Sequence, residues 1–277
     1  MKIKSILSAL LLMVSSLASA QYLNVKLEDG TYHSYKTTPN MKVSFGDKAG
    51  AEIMEPAQVV KLYKGDKVVA EYWNYEFDRV VYEELPPTTG TAKTKDNIDV
   101  NWVQLWKGGP KFAEYNVGAT SVTDYGDYYS WGGFENVVEI KNPSYNKDSS
   151  TLSGETDTAT KLWGSNWRMP TQAELQALLD NCDVQWIDDY KSDNTNIKGT
   201  IFTGKQGTAF ASNSVFLPAA GYCSNGSVLD QSNYGYYWSS TPDGSYGAYH
   251  LFFGSGYQLG YYDRYYGCSV RAVLAED

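Results

Sequence analysis

The sequence predicts an α+β fold in which short strands and long loops far outnumber helices. Three observations lead to this prediction. A clear helix start followed by helical spacing of leucines occurs at Thr171. The first 86 residues hold short alternating segments separated by turn signals. From about residue 98 onward the chain is rich in Trp, Gly and Tyr, and most of it lacks helical periodicity.

The most strongly predicted helix begins after Thr171. This threonine is the expected N-cap, and Glu174, three residues on, completes a capping box. Leu175, Leu178 and Leu179 then recur with the spacing of one helical face. We therefore expect this face to pack against the core.

A shorter helix is predicted just before it. Asp157 stands near its start, Leu162 and Trp163 lie on its buried side, and Gly164 ends it. The strands predicted after residue 200 are 214–217, stopped by Pro218, then 248–253, and finally 269–273.

Residues 1–20 have the pattern of a secretory signal peptide. Two lysines precede an apolar run at 6–14 that is too short to span a bilayer comfortably, and Ala18-Ser19-Ala20 is a small-residue cleavage site. A retained anchor helix is disfavoured because Ser15 and Ser16 interrupt the run. We expect an exported chain, periplasmic, surface-located or secreted, with no transmembrane segment after cleavage.

Residues 21–86 are predicted to form a small all-β module with two hairpin-like repeats. Similar segments begin at Val25 and Val60, and they end in the turn signals Asp29-Gly30 and Gly65-Asp66. Residues 87–97 contain few apolar side chains and are predicted to be a linker. The main domain is then expected at 98–277.

Composition excludes several classes of function. The formal net charge of −9 argues against nucleic acid as a partner, because phosphate binding needs a basic surface. The two histidines, His33 and His250, leave little room for a His-based metal site or a catalytic triad. Aromatic residues reach 15%, with 24 tyrosines, which favours binding over hydrolysis.

The three cysteines, Cys182, Cys223 and Cys268, allow one disulfide at most. The core must therefore be stabilised by packing rather than by a disulfide framework. Cys223 and Cys268 lie in the same third of the chain, but nothing in their spacing demands a bond. Their pairing stays open.

Six motifs follow one another through the main domain. They are Asn116-Val117-Gly118-Ala119-Thr120, the stretch Asp124-Tyr125-Gly126-Asp127-Tyr128-Tyr129-Ser130-Trp131-Gly132, Trp167-Arg168-Met169-Pro170-Thr171, Phe216-Leu217-Pro218-Ala219-Ala220-Gly221-Tyr222, Gly235-Tyr236-Tyr237-Trp238-Ser239-Ser240-Thr241, and Gly267-Cys268-Ser269-Val270-Arg271.

In this order the motifs resemble the Fibrobacter succinogenes major paralogous domain family, over about residues 98–275. The resemblance implies a C-type-lectin-like fold, with two short helices, a small antiparallel sheet and long loops. The preceding module resembles small β modules found before this domain in exported bacterial proteins. Tyr115 stands where family members often carry Cys, which implies that Cys182 is unpaired.

The segment from Tyr234 to Tyr266 is the predicted binding region. It holds ten tyrosines, with Gly, Ser and Asp in most gaps, a composition typical of antibody binding loops. Alternation along 248–253 predicts Leu251 and Phe253 inward, with His250 and Phe252 outward. The predicted ligand-binding residues are Tyr246, His250, Phe252, Tyr257, Tyr261, Tyr262, Asp263, Tyr265 and Tyr266.

Other interpretations of these residues remain open. Some of the aromatic residues must fill the core, and the core members expected first are Trp238, Leu251 and Phe253. The arginines of the motifs, Arg168 and Arg271, fit buried structural partners of carboxylates or carbonyls better than catalysts.

No catalytic residue, metal site or cofactor is predicted. Trp238 is followed by Ser239-Ser240-Thr241-Pro242, which offers hydroxyls where calcium would require carboxylates. No carboxylate pair or Gly-x-Ser-x-Gly motif supports hydrolysis. The related formylglycine-generating oxidases need closely spaced cysteines, which this chain lacks.

The sequence therefore predicts an exported, non-enzymatic recognition or adhesion protein that binds a protein or a glycan at a cell surface. One alternative is a structural or accessory subunit of a bacterial surface appendage or envelope complex, assembled by strand-edge pairing. A less favoured alternative is an oxidase-like enzyme of the formylglycine-generating type.

The resemblance also implies a source of variation. Some family members are variable proteins of diversity-generating retroelements, which rewrite adenines in a C-terminal cassette. Rewriting an AAC codon yields Tyr, Asp, His, Ser, Gly or Cys, the residues that crowd 243–268. The positions expected to vary are Ser245, Tyr246, His250, Tyr257, Tyr261, Tyr262, Asp263, Tyr265 and Cys268.

Overall fold

The computed structural model describes the backbone of six strands between residues 22 and 83, and residues 87–190 and 196–275 with their side chains. The predicted signal peptide and the turns Asp29-Gly30 and Gly65-Asp66 lie outside the described residues. The chain divides into two units, the first comprising residues 1–87 and 207–209 and the second comprising residues 88–206 and 210–277.

The first unit contains the strands β1 (Tyr22–Leu27), β2 (Tyr32–Lys36), β3 (Met41–Asp47), β4 (Gln58–Lys64), β5 (Lys67–Trp73) and β6 (Phe77–Glu83). They form two three-stranded antiparallel sheets, of order β2-β1-β6 and β3-β4-β5. The strand pairs β1–β2 and β4–β5 flank the two predicted turns.

In the described part of the second unit, short strands and two α-helices alternate with long loops. In chain order the elements are β7 (Thr89–Lys93), β8 (Asp99–Gln104), β9 (Lys111–Ala113), α1 (Thr158–Trp163), β10 (Trp167–Arg168), α2 (Gln172–Asn181), β11 (Cys182–Ile187), β12 (Gly199–Gly204), β13 (Ser214–Pro218), β14 (Tyr222–Ser224), β15 (Ser227–Leu229), β16 (Gly235–Asp243), β17 (Gly247–Phe253), β18 (Tyr257–Asp263) and β19 (Val273–Leu274).

These strands form four small antiparallel sheets, with orders β10-β19-β9-β8-β7, β11-β12-β13, β14-β15 and β16-β17-β18. The prediction of a mixed, strand-rich fold with two short helices is therefore confirmed at this level of description.

Both helices begin as predicted. The Thr171 hydroxyl accepts the Glu174 N–H at 3.2 Å, while the Glu174 carboxylate accepts the Thr171 N–H at 2.8 Å, which completes the capping box of α2. Asp157 caps α1 by accepting the Thr160 N–H at 2.9 Å. These caps satisfy backbone donors that helices of six and ten residues would otherwise leave open.

The predicted linker at 87–97 is wrong in its central part. Residues 89–93 form β7, which pairs with β8 through a turn in which Asn97 has a φ of 63°. The linker was predicted because residues 87–97 contain few apolar side chains. Threonine nevertheless suits an exposed strand, and asparagine tolerates the left-handed conformation of a turn.

The predicted strand 269–273 is replaced by a segment that changes partners. Ser269 pairs with Tyr237 as an isolated bridge, and β19 comprises only Val273–Leu274. Between them, the carbonyl of Val270 accepts the Val117 N–H and that of Ala272 accepts the Ala113 N–H, both at 2.9 Å. This segment links two sheets and cannot form one regular ladder.

Three tryptophans define the centre of the core, and each indole N–H reaches a backbone carbonyl. Trp131 donates to Ser239, Trp167 to Lys93 and Trp238 to Tyr129, at 2.9, 3.2 and 2.8 Å. All three side chains are fully buried. They therefore connect segments distant in the sequence without leaving a polar group unsatisfied.

Arg271 is fully buried and bonds neutral oxygens instead of a carboxylate. Its guanidinium donates to the carbonyls of Ala113, Glu114 and Phe216 and to Asn116 Oδ1, at 3.0–3.1 Å. Burial lowers its pKa to about 10, so it stays protonated at neutral pH. The predicted structural role of this arginine is confirmed.

We expect Arg271→Met to destabilise the fold by at least about 3 kcal/mol, because the buried oxygens lose their donors. Arg168→Met is the control. Arg168 forms a half-buried pair with Glu174 at 2.6 Å, and its loss should cost about 1 kcal/mol. Urea unfolding of both variants measures the difference. Equal losses would contradict the role assigned to Arg271.

Candidate functional site

The Tyr-rich segment forms the sheet β16-β17-β18. Tyr236 lies opposite Phe252 on β16 and β17, and Tyr249 lies opposite Tyr261 on β17 and β18. In the described part of the chain β18 pairs with β17 alone and forms one edge of this sheet. The segment predicted to bind is thus mostly regular strand.

Strand alternation places the predicted binding residues on two opposite faces. Tyr261 and Tyr262 are neighbours on β18, so their side chains point away from each other. Leu251, Phe253 and Leu259 pack with the leucines of α2 on one face. The nine predicted binding residues therefore cannot all lie on one face of the sheet.

The other face carries a layer of mutually packed rings, here named the aromatic cluster. Tyr262 contacts Tyr236 at 5.4 Å, His250 at 5.1 Å and Tyr266 at 4.7 Å between ring centroids. Burial raises the pKa of Tyr236 to about 12 and also raises that of Tyr262. The cluster comprises Tyr222, Tyr234, Tyr236, His250, Phe252, Tyr262 and Tyr266.

His250 is 3% exposed, which corrects its predicted outward orientation. Phe252 is half-buried and stacks on Tyr234 at 5.5 Å, so its predicted exposure is also corrected. The reason is that core residues cover both faces of this sheet. Alternation distinguishes inside from outside only when one face of a sheet meets solvent.

Four tyrosines remain exposed, and we name them the tyrosine surface. Exposure is 77% for Tyr246, 68% for Tyr261, 43% for Tyr265 and 38% for Tyr257. Tyr257 and Tyr261 lie on the edge strand β18. Tyr246 and Tyr265 lie at its end, where the Arg264 N–H donates to the Tyr246 carbonyl at 3.0 Å. Asp263 is exposed beside them.

Arg264 holds this end of the sheet in place, and the sequence analysis missed it. Its guanidinium donates to the carbonyls of Gly244, Gly247 and Asp148 at 2.7–2.8 Å. It also lies 4.3 Å from the ring centroid of Trp131. The only sequence signal was a single arginine within a run of tyrosines.

The cysteines are buried thiols. Cys182, Cys223 and Cys268 are all free, and burial raises the pKa of each, to about 12 for Cys182. A raised pKa disfavours the thiolate that a nucleophile or metal ligand requires. Cys223 and Cys268 are not bonded to each other.

Asp124 and Asp127, the two aspartates of the second motif, serve local structure. Asp124 accepts the N–H groups of Thr120 and Gly126, and Asp127 accepts from Asn136 at 2.7 Å. After Trp238, the Ser239 hydroxyl donates to the Tyr249 carbonyl at 2.8 Å. Among the described residues no group of three His, Cys, Asp or Glu side chains is placed to hold a metal ion.

Comparison with family models, with curated proteins and with solved structures returns no match. Within the described residues, none of the helices has the length and apolar character needed to cross a membrane.

His250 provides a test of the aromatic cluster. Burial lowers its pKa to about 4, whereas in the unfolded chain it titrates near 6.5. The unfolded chain therefore binds the proton more readily, so stability is lost as the pH falls from about 6.5 towards 4.

We expect the free energy of unfolding of the native chain to fall relative to His250→Phe by up to about 3 kcal/mol between pH 7 and pH 4. Phenylalanine keeps an aromatic ring at position 250, but this ring cannot be protonated. Urea unfolding of both chains across this range measures the difference. Parallel pH profiles would show that His250 is not buried in its neutral form.

Proposed function

We propose that this chain is an exported, non-enzymatic recognition protein that binds a protein partner through its tyrosine surface. The observation that carries the proposal is that four tyrosines lie exposed along one edge strand and its end. Large aromatic side chains that are exposed on one strand and its end are typical of an interaction surface on a monomeric protein. Tyrosine adds a large contact area at low entropic cost, with a hydroxyl for hydrogen bonds.

A protein partner fits this surface better than a small ligand. Side chains on an edge strand form an open contact area, whereas small-molecule sites are concave. The net charge of −9 favours a partner that tolerates or complements negative charge. The lack of closely spaced cysteines in the sequence supports a recognition role over the oxidase alternative.

The proposal includes the scaffold and its family. We propose a C-type-lectin-like fold of the major paralogous domain family for the second unit, and its two short helices and small antiparallel sheets support this. Export rests on the signal peptide pattern of residues 1–20. The appendage-subunit alternative depends on strand edges in residues 21–86.

Diversification of the segment is part of the same proposal, restricted to exposed positions. Ser245, Tyr246 and Tyr261 are exposed and tolerate substitution without loss of packing. His250 and Cys268 are buried, so we assign them to the fixed scaffold instead.

The test compares two triple variants of the chain from residue 21. Tyr246→Ser, Tyr261→Ser and Tyr265→Ser together remove most of the tyrosine surface. The control changes three exposed apolar side chains elsewhere: Ile98→Ser, Phe134→Ser and Leu229→Ser. Both sets should leave thermal stability within about 1 kcal/mol of the native chain, because the side chains are exposed.

We expect the native chain and the control to capture at least one cell-surface protein in common. The recovery of that protein should fall at least tenfold with the tyrosine variant. Quantitative pulldown from cell-surface extracts measures this, with a glycan array in parallel. Retention of every captured protein by the folded tyrosine variant would refute the proposal. If the tyrosine variant loses only its glycan binding, the ligand of the tyrosine surface is a glycan and not a protein.

A further inference from the structure

The two edges of the sheet β16-β17-β18 differ in whether their backbone is already bonded. At the β16 edge, the Ser269 N–H donates to the Tyr236 carbonyl and the Trp238 N–H donates to the Ser269 carbonyl, both at 3.0 Å. At the other edge, β18 pairs with β17 alone in the described part of the chain. A further strand can therefore join this sheet only beside β18.

The register shows which backbone groups of β18 face away from β17. Alternate residues of an antiparallel strand direct their N–H and C=O groups to the same neighbour. The Arg264 N–H donates to the Tyr246 carbonyl at 3.0 Å and continues the register in which Asp263 lies opposite Gly247. The even-numbered residues of β18 therefore bond to β17. The groups of 257, 259 and 261 point outward, and no described residue bonds to them.

This edge lacks the features that usually prevent the addition of a strand. Natural edge strands are commonly interrupted by proline, lysine or a bulge. β18 contains neither proline nor lysine, and its seven residues pair with β17 without a shift in register. Its outward backbone groups therefore form a regular row that an extended peptide can match.

The side chains of β18 give this edge selectivity. Tyr257 and Tyr261 are exposed on either side of Leu259, which packs with the leucines of α2. Aromatic side chains stabilise cross-strand pairs with aromatic or β-branched neighbours. On the opposite face Gly260 leaves a space, because a Cβ atom there would come within 3.0 Å of the His250 ring. A large side chain on an added strand can cover such an edge glycine.

The charge of the edge favours a basic segment over a second copy of this chain. Asp263 is exposed at the end of β18, and the next residue, Arg264, is fully buried. Neither β18 nor α2 contains lysine or arginine. With a formal net charge of −9, two copies repel each other, whereas a basic segment is attracted.

We propose that β18 binds an extended segment of the protein partner as an added β-strand. This segment alternates apolar with polar residues and carries lysine or arginine beside Asp263. The inference rests on the proposed protein-binding function and specifies how the tyrosine surface contacts its partner. Main-chain hydrogen bonds supply affinity, and the side chains opposite Tyr257 and Tyr261 supply selectivity.

The first test uses the chain from residue 21 and a phage-displayed library of random linear peptides. Selected peptides should alternate apolar with polar residues and be basic, and one of them, made synthetically, is the probe. The amide protons of 257, 259 and 261 should exchange at least about tenfold more slowly with the peptide bound, as measured by NMR. Those of 258, 260 and 262 should be protected in both states.

Two substitutions at one position separate main-chain from side-chain binding. Tyr261→Ala removes the ring, whereas Tyr261→Pro also removes the outward N–H, and neither removes a hydrogen bond to β17. Tyr261→Pro should weaken peptide binding at least about tenfold more than Tyr261→Ala, as measured by fluorescence anisotropy. Thermal melting shows whether both variants are folded. If Tyr261→Pro is not, the amide exchange of the native chain decides.

Three results would each overturn strand addition: no selected peptide, unchanged exchange at the outward amides, or equal binding by the two folded variants. The pulldown judges the proposed function separately. A captured protein that is lost with the triple tyrosine variant, yet bound equally by both Tyr261 variants, would keep the binding role and overturn strand addition. A dimer in sedimentation that only Tyr261→Pro dissociates would make a second copy the occupant, which also overturns the proposal.

Discussion

The fold of the second unit depends on buried arginines that bond backbone carbonyls. A domain with many loops has many peptide carbonyls outside helices and sheets, and each buried one needs a donor. A guanidinium offers five N–H donors in one plane. Arg271 bonds carbonyls of two separate segments, and Arg264 bonds those of the β16–β17 turn and of residues 146–148. Two side chains thus replace hydrogen bonds that secondary structure would otherwise supply.

This arrangement connects the core to the proposed binding surface. Arg264 fixes the end of the sheet, and its neighbours in the sequence, Asp263 and Tyr265, are exposed at that end. The aromatic cluster supports the sheet from one side, and the leucines of α2 support it from the other. The exposed tyrosines therefore project from a backbone held on both sides. A rigid backbone lowers the entropic cost of binding.

The sequence predicted the elements whose signals are local. The capping box at Thr171, the Asp157 cap and the strands predicted at 214–217 and 248–253 depend on neighbouring residues. All are present, and each strand is one residue longer than predicted. Features that depend on tertiary packing were missed. His250 is buried because a second layer of rings covers its face of the sheet, and Arg264 is buried because four backbone carbonyls converge on it. The burial of these two side chains produces no periodic pattern in the sequence.

The claim that Arg264 holds the surface-bearing turn is tested most directly by amide hydrogen exchange in Arg264→Met. Methionine preserves much of the side-chain volume and removes every donor. The account predicts faster exchange at residues 146–148 and 244–249, with much smaller changes in α2 and β12, while Arg168→Met leaves those two segments at native rates. Unchanged exchange at 244–249 in the folded Arg264→Met chain would contradict it.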